Sequence, residues 1–273
     1  MEGRVAEISD ASDPMETSGA QEPKIVPSSP LVKWWDMPLI IAVSSAVTVL
    51  LVALVYLYFA VVANGQGITP EELQEFMVEP DVTGTLNWTV GLGLYVLIAG
   101  TIVLITRKRK YALKATYFRP VSVSNLLLAS GLALALGLFL FVTEQFFSPE
   151  VKASFDEFYA STLARSGWSY LLLSGLVAAP IVEEMFFRGV VFTWWREKTN
   201  AVTAVVVSAA AFTLIHFYFL VIPGVAGWIA SGQVFLFGVL AAVLVIWTRS
   251  LWPSIVAHST FNLIAVSSIY FAL

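Results

Sequence analysis

Ala-Pro-Ile-Val-Glu-Glu-Met-Phe-Phe-Arg-Gly, residues 179–189, lies inside an apolar stretch from 168 to 195 that is long enough to cross a bilayer. Glu183, Glu184 and Arg188 therefore sit at membrane depth, where central charges cost roughly 2.5–3.5 kcal/mol each on insertion scales. Working outward, both histidines of the chain fall in similar surroundings: His216 ends Phe-Thr-Leu-Ile-His, and His258 opens His-Ser-Thr-Phe-Asn. A chain that keeps several costly groups at depth is expected to use them.

The rest of the sequence fits a membrane protein. Of its 273 residues, 58% are hydrophobic and 12% charged, against about half and one quarter in a soluble domain. The reading is an all-α, polytopic membrane helix bundle with spans near 38–63, 87–106, 123–143, 168–195, 201–221, 228–248 and 251–272. An eighth, half-inserted helix is weighed around 111–122, where Tyr-Ala-Leu-Lys-Ala-Thr-Tyr-Phe-Arg would suit the membrane surface. No cysteine is present, so disulfides and thiolate metal sites are excluded.

Residues 1–33 are rich in Ser, Pro, Glu and Asp and read as a disordered acidic tail. They match neither a signal peptide nor a transit peptide, so the first span is expected to act as an uncleaved signal anchor. Every Lys and Arg except Lys152 and Arg165 falls on one side if the N-terminus is cytoplasmic. The positive-inside rule then gives N-in and C-out. The loop 64–84, with Glu71, Glu72, Glu75, Glu79 and Asp81 and no basic residue, fits the outer side. The expected setting is a multi-pass protein of a prokaryotic plasma membrane, with the bilayer as partner and no nucleic acid.

Helix geometry separates the two glutamates. Arg188 is four positions from Glu184, on the same face, and five from Glu183, about 140° away. Glu184 is thus the expected ion-pair partner, and Glu183 points elsewhere. Pro180 removes a backbone donor just before the pair, so a kink or local opening is expected. His216 shares a face with Phe212, and His258 shares one with Asn262, which is placed to orient the imidazole or to donate to an oxyanion. A carboxylate, an imidazole and an imidazole–amide pair are the parts needed to deprotonate water and hold a tetrahedral oxyanion. Glu183, His216 and His258 would equally make a two-His, one-carboxylate zinc site. Spacing alone leaves both open.

Glu-Glu-x-x-x-Arg, Phe-x-x-x-His and His-x-x-x-Asn, in this order on successive helices, resemble the CPBP intramembrane protease family, which includes the type II CAAX prenyl endopeptidases. The flanks agree, at 179–189 and in Arg-Ser-Leu-Trp-Pro-Ser-Ile-Val-Ala-His, 249–258. The resemblance covers about 168–265 and implies an active site open to the cytoplasmic side. It implies that Glu183 with His216 activates the attacking water, that His258 and Asn262 stabilise the oxyanion, and that Glu184, Arg188 and Phe212 support the site. The chain then divides into the tail 1–33, N-terminal helices and loops 34–167, and a catalytic helix core 168–273. A metal-free site is favoured, with a divalent zinc as the alternative. The substrate would be a peptide or protein, lipidated or membrane-anchored. A proton-coupled transporter and a catalytically silent scaffold or immunity protein are the competing readings.

One expectation conflicts with the others. Counted at 1.5 Å per residue from the cytoplasmic helix ends, His258 lies roughly 10 Å deep and His216 roughly 22 Å. A single site requires an earlier start to the fifth span, a strong tilt or a broken helix.

Overall fold

A computed structural model of the chain describes residues 33–77, 87–108 and 117–271. It consists of helices: α1 (Asp36–Gln66), α2 (Pro70–Met77), α3 (Leu92–Lys108), α4 (Val123–Glu144), α5 (Pro149–Leu173), α6 (Ala179–Glu184), α7 (Thr193–Lys198), α8 (Ala201–His216), α9 (Tyr218–Val221), α10 (Gly224–Thr248) and α11 (Trp252–Phe271). Wider π-helical turns join several of these end to end, at Asn87–Gly91, Ser174–Ala178 and Met185–Phe192. No strand occurs among the described residues.

Among the described residues, six stretches are long and apolar enough to cross a membrane: Asp36–Gly65, Trp88–Arg107, Val123–Glu144, Ser166–Lys198, Ala201–Val221 and Gly224–Thr248. The 20-residue α11 occupies the place of the seventh expected span. The protein is an integral membrane helix bundle. Residues 1–32 of the acidic tail and 111–116 of the expected surface helix lie outside the described residues, as do Glu79 and Asp81. Residues 117–122 of that surface helix are described and are not helical.

Small residues let the central helices approach. α11 packs on α4 and α8 on α10 more extensively than any other pair. Ala129, Ala133, Ala204, Ala209, Ala241 and Ala257 are fully buried in these contacts, as expected where van der Waals packing drives association in lipid. Gly238 serves the α8–α10 contact in the same way: a Cβ there would stand 3.0 Å from the Ala209 Cβ. By contrast α1 is peripheral, packing mainly on α3, with Leu50, Leu54, Leu57 and Val61 more than half exposed.

Three elements differ from the sequence reading. Residues 149–166, read as loop, are the first part of α5. That first part is too polar to cross a membrane, and it packs Phe155 against Ile222, Ala226 and Ala230. It bends into the fourth span at Gly167, whose φ of 73° and ψ of 156° belong to a region essentially restricted to glycine. The sixth span starts at Gly224 rather than 228. The fifth breaks after His216, where Phe217 takes a left-handed φ of 52° before the single turn of α9. In the acidic segment after α1, Thr69 and Glu72 form a reciprocal capping box that starts α2.

Candidate active site

The site begins with a local widening of the fourth span. Pro180 has no N–H to give the preceding turn, so carbonyls there need other donors. α11 supplies them: Asn262 Nδ2 donates to Gly175 O at 2.7 Å, and Ser259 Oγ donates to Leu176 O at 2.8 Å. On the other side of α6, Ser208 Oγ of α8 donates to Phe187 O at 3.0 Å, and Thr193 Oγ1 to Arg188 O at 3.1 Å. The two π segments bracketing the Glu183–Glu184 pair are thus held open by side chains from neighbouring helices. The expected opening at Pro180 takes this form.

Glu184 is fully buried, and Arg188 nearly so. Arg188 Nη1 donates to Glu184 Oε1 at 2.9 Å, and Nη2 donates to Gly238 O at 3.0 Å. The guanidinium also lies 4.6 Å over the Phe212 ring. His258 Nδ1 meets the same Glu184 Oε1 at 3.0 Å. His258 is therefore oriented by Glu184, not by Asn262 as the four-residue spacing suggested. Asn262 instead ties α11 to the widened turn before the glutamates.

His216 Nδ1 lies 2.7 Å from Phe212 O. A carbonyl only accepts, so this nitrogen carries the proton. With both Nδ1 atoms engaged, both rings turn Nε2 toward one carboxylate oxygen: Glu183 Oε2 is 3.9 Å from His216 Nε2 and 3.9 Å from His258 Nε2. That oxygen is buried and has no hydrogen-bond partner among the described residues. The Glu183 side chain is 14% exposed, His216 20% and His258 3%. Phe212 lies between the imidazoles, its ring centroid 4.7 Å from His216 and 5.5 Å from His258. Phe237 packs on the other face of His258 at 4.8 Å.

The expected difference in depth does not keep the two imidazoles apart, since both reach one Glu183 oxygen. α8 starts at Ala201, capped by the Asn200 side chain, so there is no earlier start. Part of the stagger is removed as the His216 ring folds back over Phe212, one turn nearer the start of α8. All seven residues singled out in the sequence come together around α6.

Two tyrosines join them that the sequence reading passed over. Tyr95 of α3 brings its phenol toward Glu183, and Tyr218 of α9 sets its ring 5.5 Å from His216. The signal for Tyr218 was its place two residues beyond His216; Tyr95 gave none, being one aromatic in an apolar span. Beyond the imidazoles lies a cavity of about 120 Å³. Its wall carries a second polar pair, with Gln233 Nε2 donating to Glu144 Oε1 at 2.8 Å.

The spacing also bears on a metal. Two ligands of one tetrahedral zinc, each about 2.0–2.1 Å from the ion, stand roughly 3.4 Å apart. Here the carboxylate–imidazole separations are 3.9 Å, and among the described residues no group of three His, Asp or Glu side chains has metal-ligand spacing. As arranged, the two carboxylate–imidazole separations are wider than that spacing.

No curated protein and no solved structure matches the chain. The seven site residues singled out in the sequence, from Glu183 to Asn262, nevertheless fall within a segment with a family signature: residues 165–264 match the family model described as Rce1-like, type II CAAX prenyl endopeptidase, in keeping with the CPBP resemblance carried by the motifs.

Proposed function

We propose that the chain is an intramembrane endopeptidase in which Glu183 activates a water for attack on a peptide carbonyl. The observation carrying this reading is the convergence on one buried Glu183 oxygen of two fixed imidazole Nε2 atoms whose rings line a cavity. Separations of 3.9 Å suit groups that share a bridging water.

Glu183 takes a proton from that water as its oxygen bonds to the carbonyl carbon, giving a tetrahedral oxyanion. His258 stabilises the oxyanion as an imidazolium, whose charge is balanced through Nδ1 by Glu184, itself held by Arg188. Asn262 has a second amide N–H to contribute beside the one given to Gly175. Collapse breaks the C–N bond, and the proton held by Glu183, passed through His216, goes to the leaving amine. The products are a carboxylic acid and an amine, which exchange a proton to give carboxylate and ammonium. No metal enters this sequence. The substrate is a peptide or protein segment, lipidated or membrane-anchored.

The test compares peptide termini in cells that express the wild type or Glu183→Gln at equal abundance. Removing a general base should lower cleavage by about 10²–10⁴-fold, with the bundle still folded in the membrane. Termini that depend on Glu183 are the expected result. Identical profiles with both proteins folded would overturn the reading and return the site to proton-coupled transport or scaffolding.

A further inference from the structure

The cavity lies toward one end of the bundle. Its walls come from the last two turns of α4 (Gly137, Leu140, Glu144), from α5 (Phe155, Phe158, Tyr159), from the ends of α8 and α9, from the first half of α10, and from α11 beyond His258. α4 runs toward this end, α10 runs away from it, and Phe155 of α5 packs on Ile222, just after α9, in the cavity wall. The opposite end is closed. On that side of Glu183 lie Arg188, Phe187, Leu244, Leu251 and Ser254, each no more than 2% exposed. The chain also crosses there: Leu251 N donates to Tyr117 O at 2.8 Å and Ser250 Oγ to Arg119 O at 2.8 Å.

The two ends differ in charge as sharply as in packing. The closed end receives the sequence segments holding Arg107, Lys108, Arg119, Arg196, Lys198 and Arg249, whereas the cavity end carries Glu144, Glu150, Asp156 and Glu157 with Lys152 and Arg165. Basic segments stay cytoplasmic. The resemblance implied a cytoplasmic opening, and that implication and the charge rule point to opposite mouths.

We infer that the site is entered from the acid-rich, non-cytoplasmic side, and that its substrate is a peptide segment presented there, next to a membrane anchor or after export. This rests on the endopeptidase reading for the word substrate, but not for the direction of access. The aromatic walls would receive apolar side chains, and the Gln233–Glu144 pair would meet polar groups of the peptide near the mouth.

The natural chain has no cysteine, so single-cysteine variants report access without background. Ser268→Cys and Ala265→Cys place a thiol in the cavity wall, and Lys198→Cys places one at the basic end. Each is treated with a membrane-impermeant maleimide in intact cells and in inverted membrane vesicles. The expected result is labelling of the cavity thiols in intact cells with loss of labelling in inverted vesicles, and the reverse for Lys198→Cys. Cavity labelling from the cytoplasmic side, from both sides or from neither would overturn the inference. Either cavity variant suffices if the other does not fold.

This measurement needs no turnover, so absent Glu183-dependent termini would refute the protease reading and leave the labelling result intact. Where such termini do occur, they should lie in non-cytoplasmic segments. Termini confined to cytoplasmic sequences would overturn the assignment of substrate.

Discussion

Arg188 neutralises Glu184, donates to the Gly238 carbonyl and lies over Phe212, all with almost no contact with solvent. Breaking a buried pair by removing one partner leaves an uncompensated charge and costs about 3–5 kcal/mol. Arg188→Ala is therefore expected to lower the melting temperature in detergent and the amount of protein in the membrane, as well as to abolish cleavage. An unchanged melting temperature would remove the ion pair from the account. Glu183 differs in kind, since its Oε2 has no hydrogen bond among the described residues to lose. Its separation from the imidazoles also carries a prediction about metals. Turnover should survive prolonged treatment with strong chelators of divalent ions and should not rise on adding zinc. Loss on chelation with recovery on zinc would show that the three groups close around an ion during the reaction.

At the scale of elements, the fourth span owes its shape to α8, α10 and α11. Gly238 is where this dependence is narrowest, because the backbone that accepts from Arg188 is also the backbone that touches Ala209. Gly238→Ala would push α10 from α8, at a cost of about 1–3 kcal/mol for overpacking, and would draw the carbonyl from the guanidinium. The expected outcome is a lower melting temperature together with reduced turnover. Wild-type stability and activity would mean that the contact yields easily. The sequence made some of these relations legible and hid others for physical reasons. Glu184–Arg188 is an i,i+4 pair on one helix, so spacing revealed it. Glu184–His258 joins residues 74 positions apart, and no local pattern encodes it. Pro180 announced an opening, but the donors that stabilise it, Asn262 and Ser259, come from α11. The first part of α5 was missed because its aromatic face, Phe155, Phe158 and Tyr159, is interleaved with Lys152, Asp156 and Glu157 and never reaches span length.

Across the whole molecule, the pattern of exposure is inverted relative to a soluble protein. α1 holds the most apolar window of the bundle, with mean hydropathy 2.6, yet only 6% of that window is buried. Leu50 and Leu54, near its middle, are 57% and 51% exposed. Such a surface makes sense only against hydrocarbon, since in water it would form a large contiguous apolar patch. A charge placed there separates the two environments. In water, Leu50→Arg would exchange an exposed leucine for a soluble side chain at little cost. At the centre of a span, the same change costs about 2.5–3.5 kcal/mol on insertion scales, and each 1.4 kcal/mol is a factor of about ten in an equilibrium. The fraction of chains that resist alkaline extraction from membranes should therefore fall for Leu50→Arg and stay at the wild-type level for Leu50→Phe. Because α1 contributes no side chain to the polar cluster, the correctly inserted remainder should cleave at the wild-type rate per molecule. Undiminished insertion of Leu50→Arg would place the exposed face of α1 against another protein surface or an aqueous cleft instead of lipid.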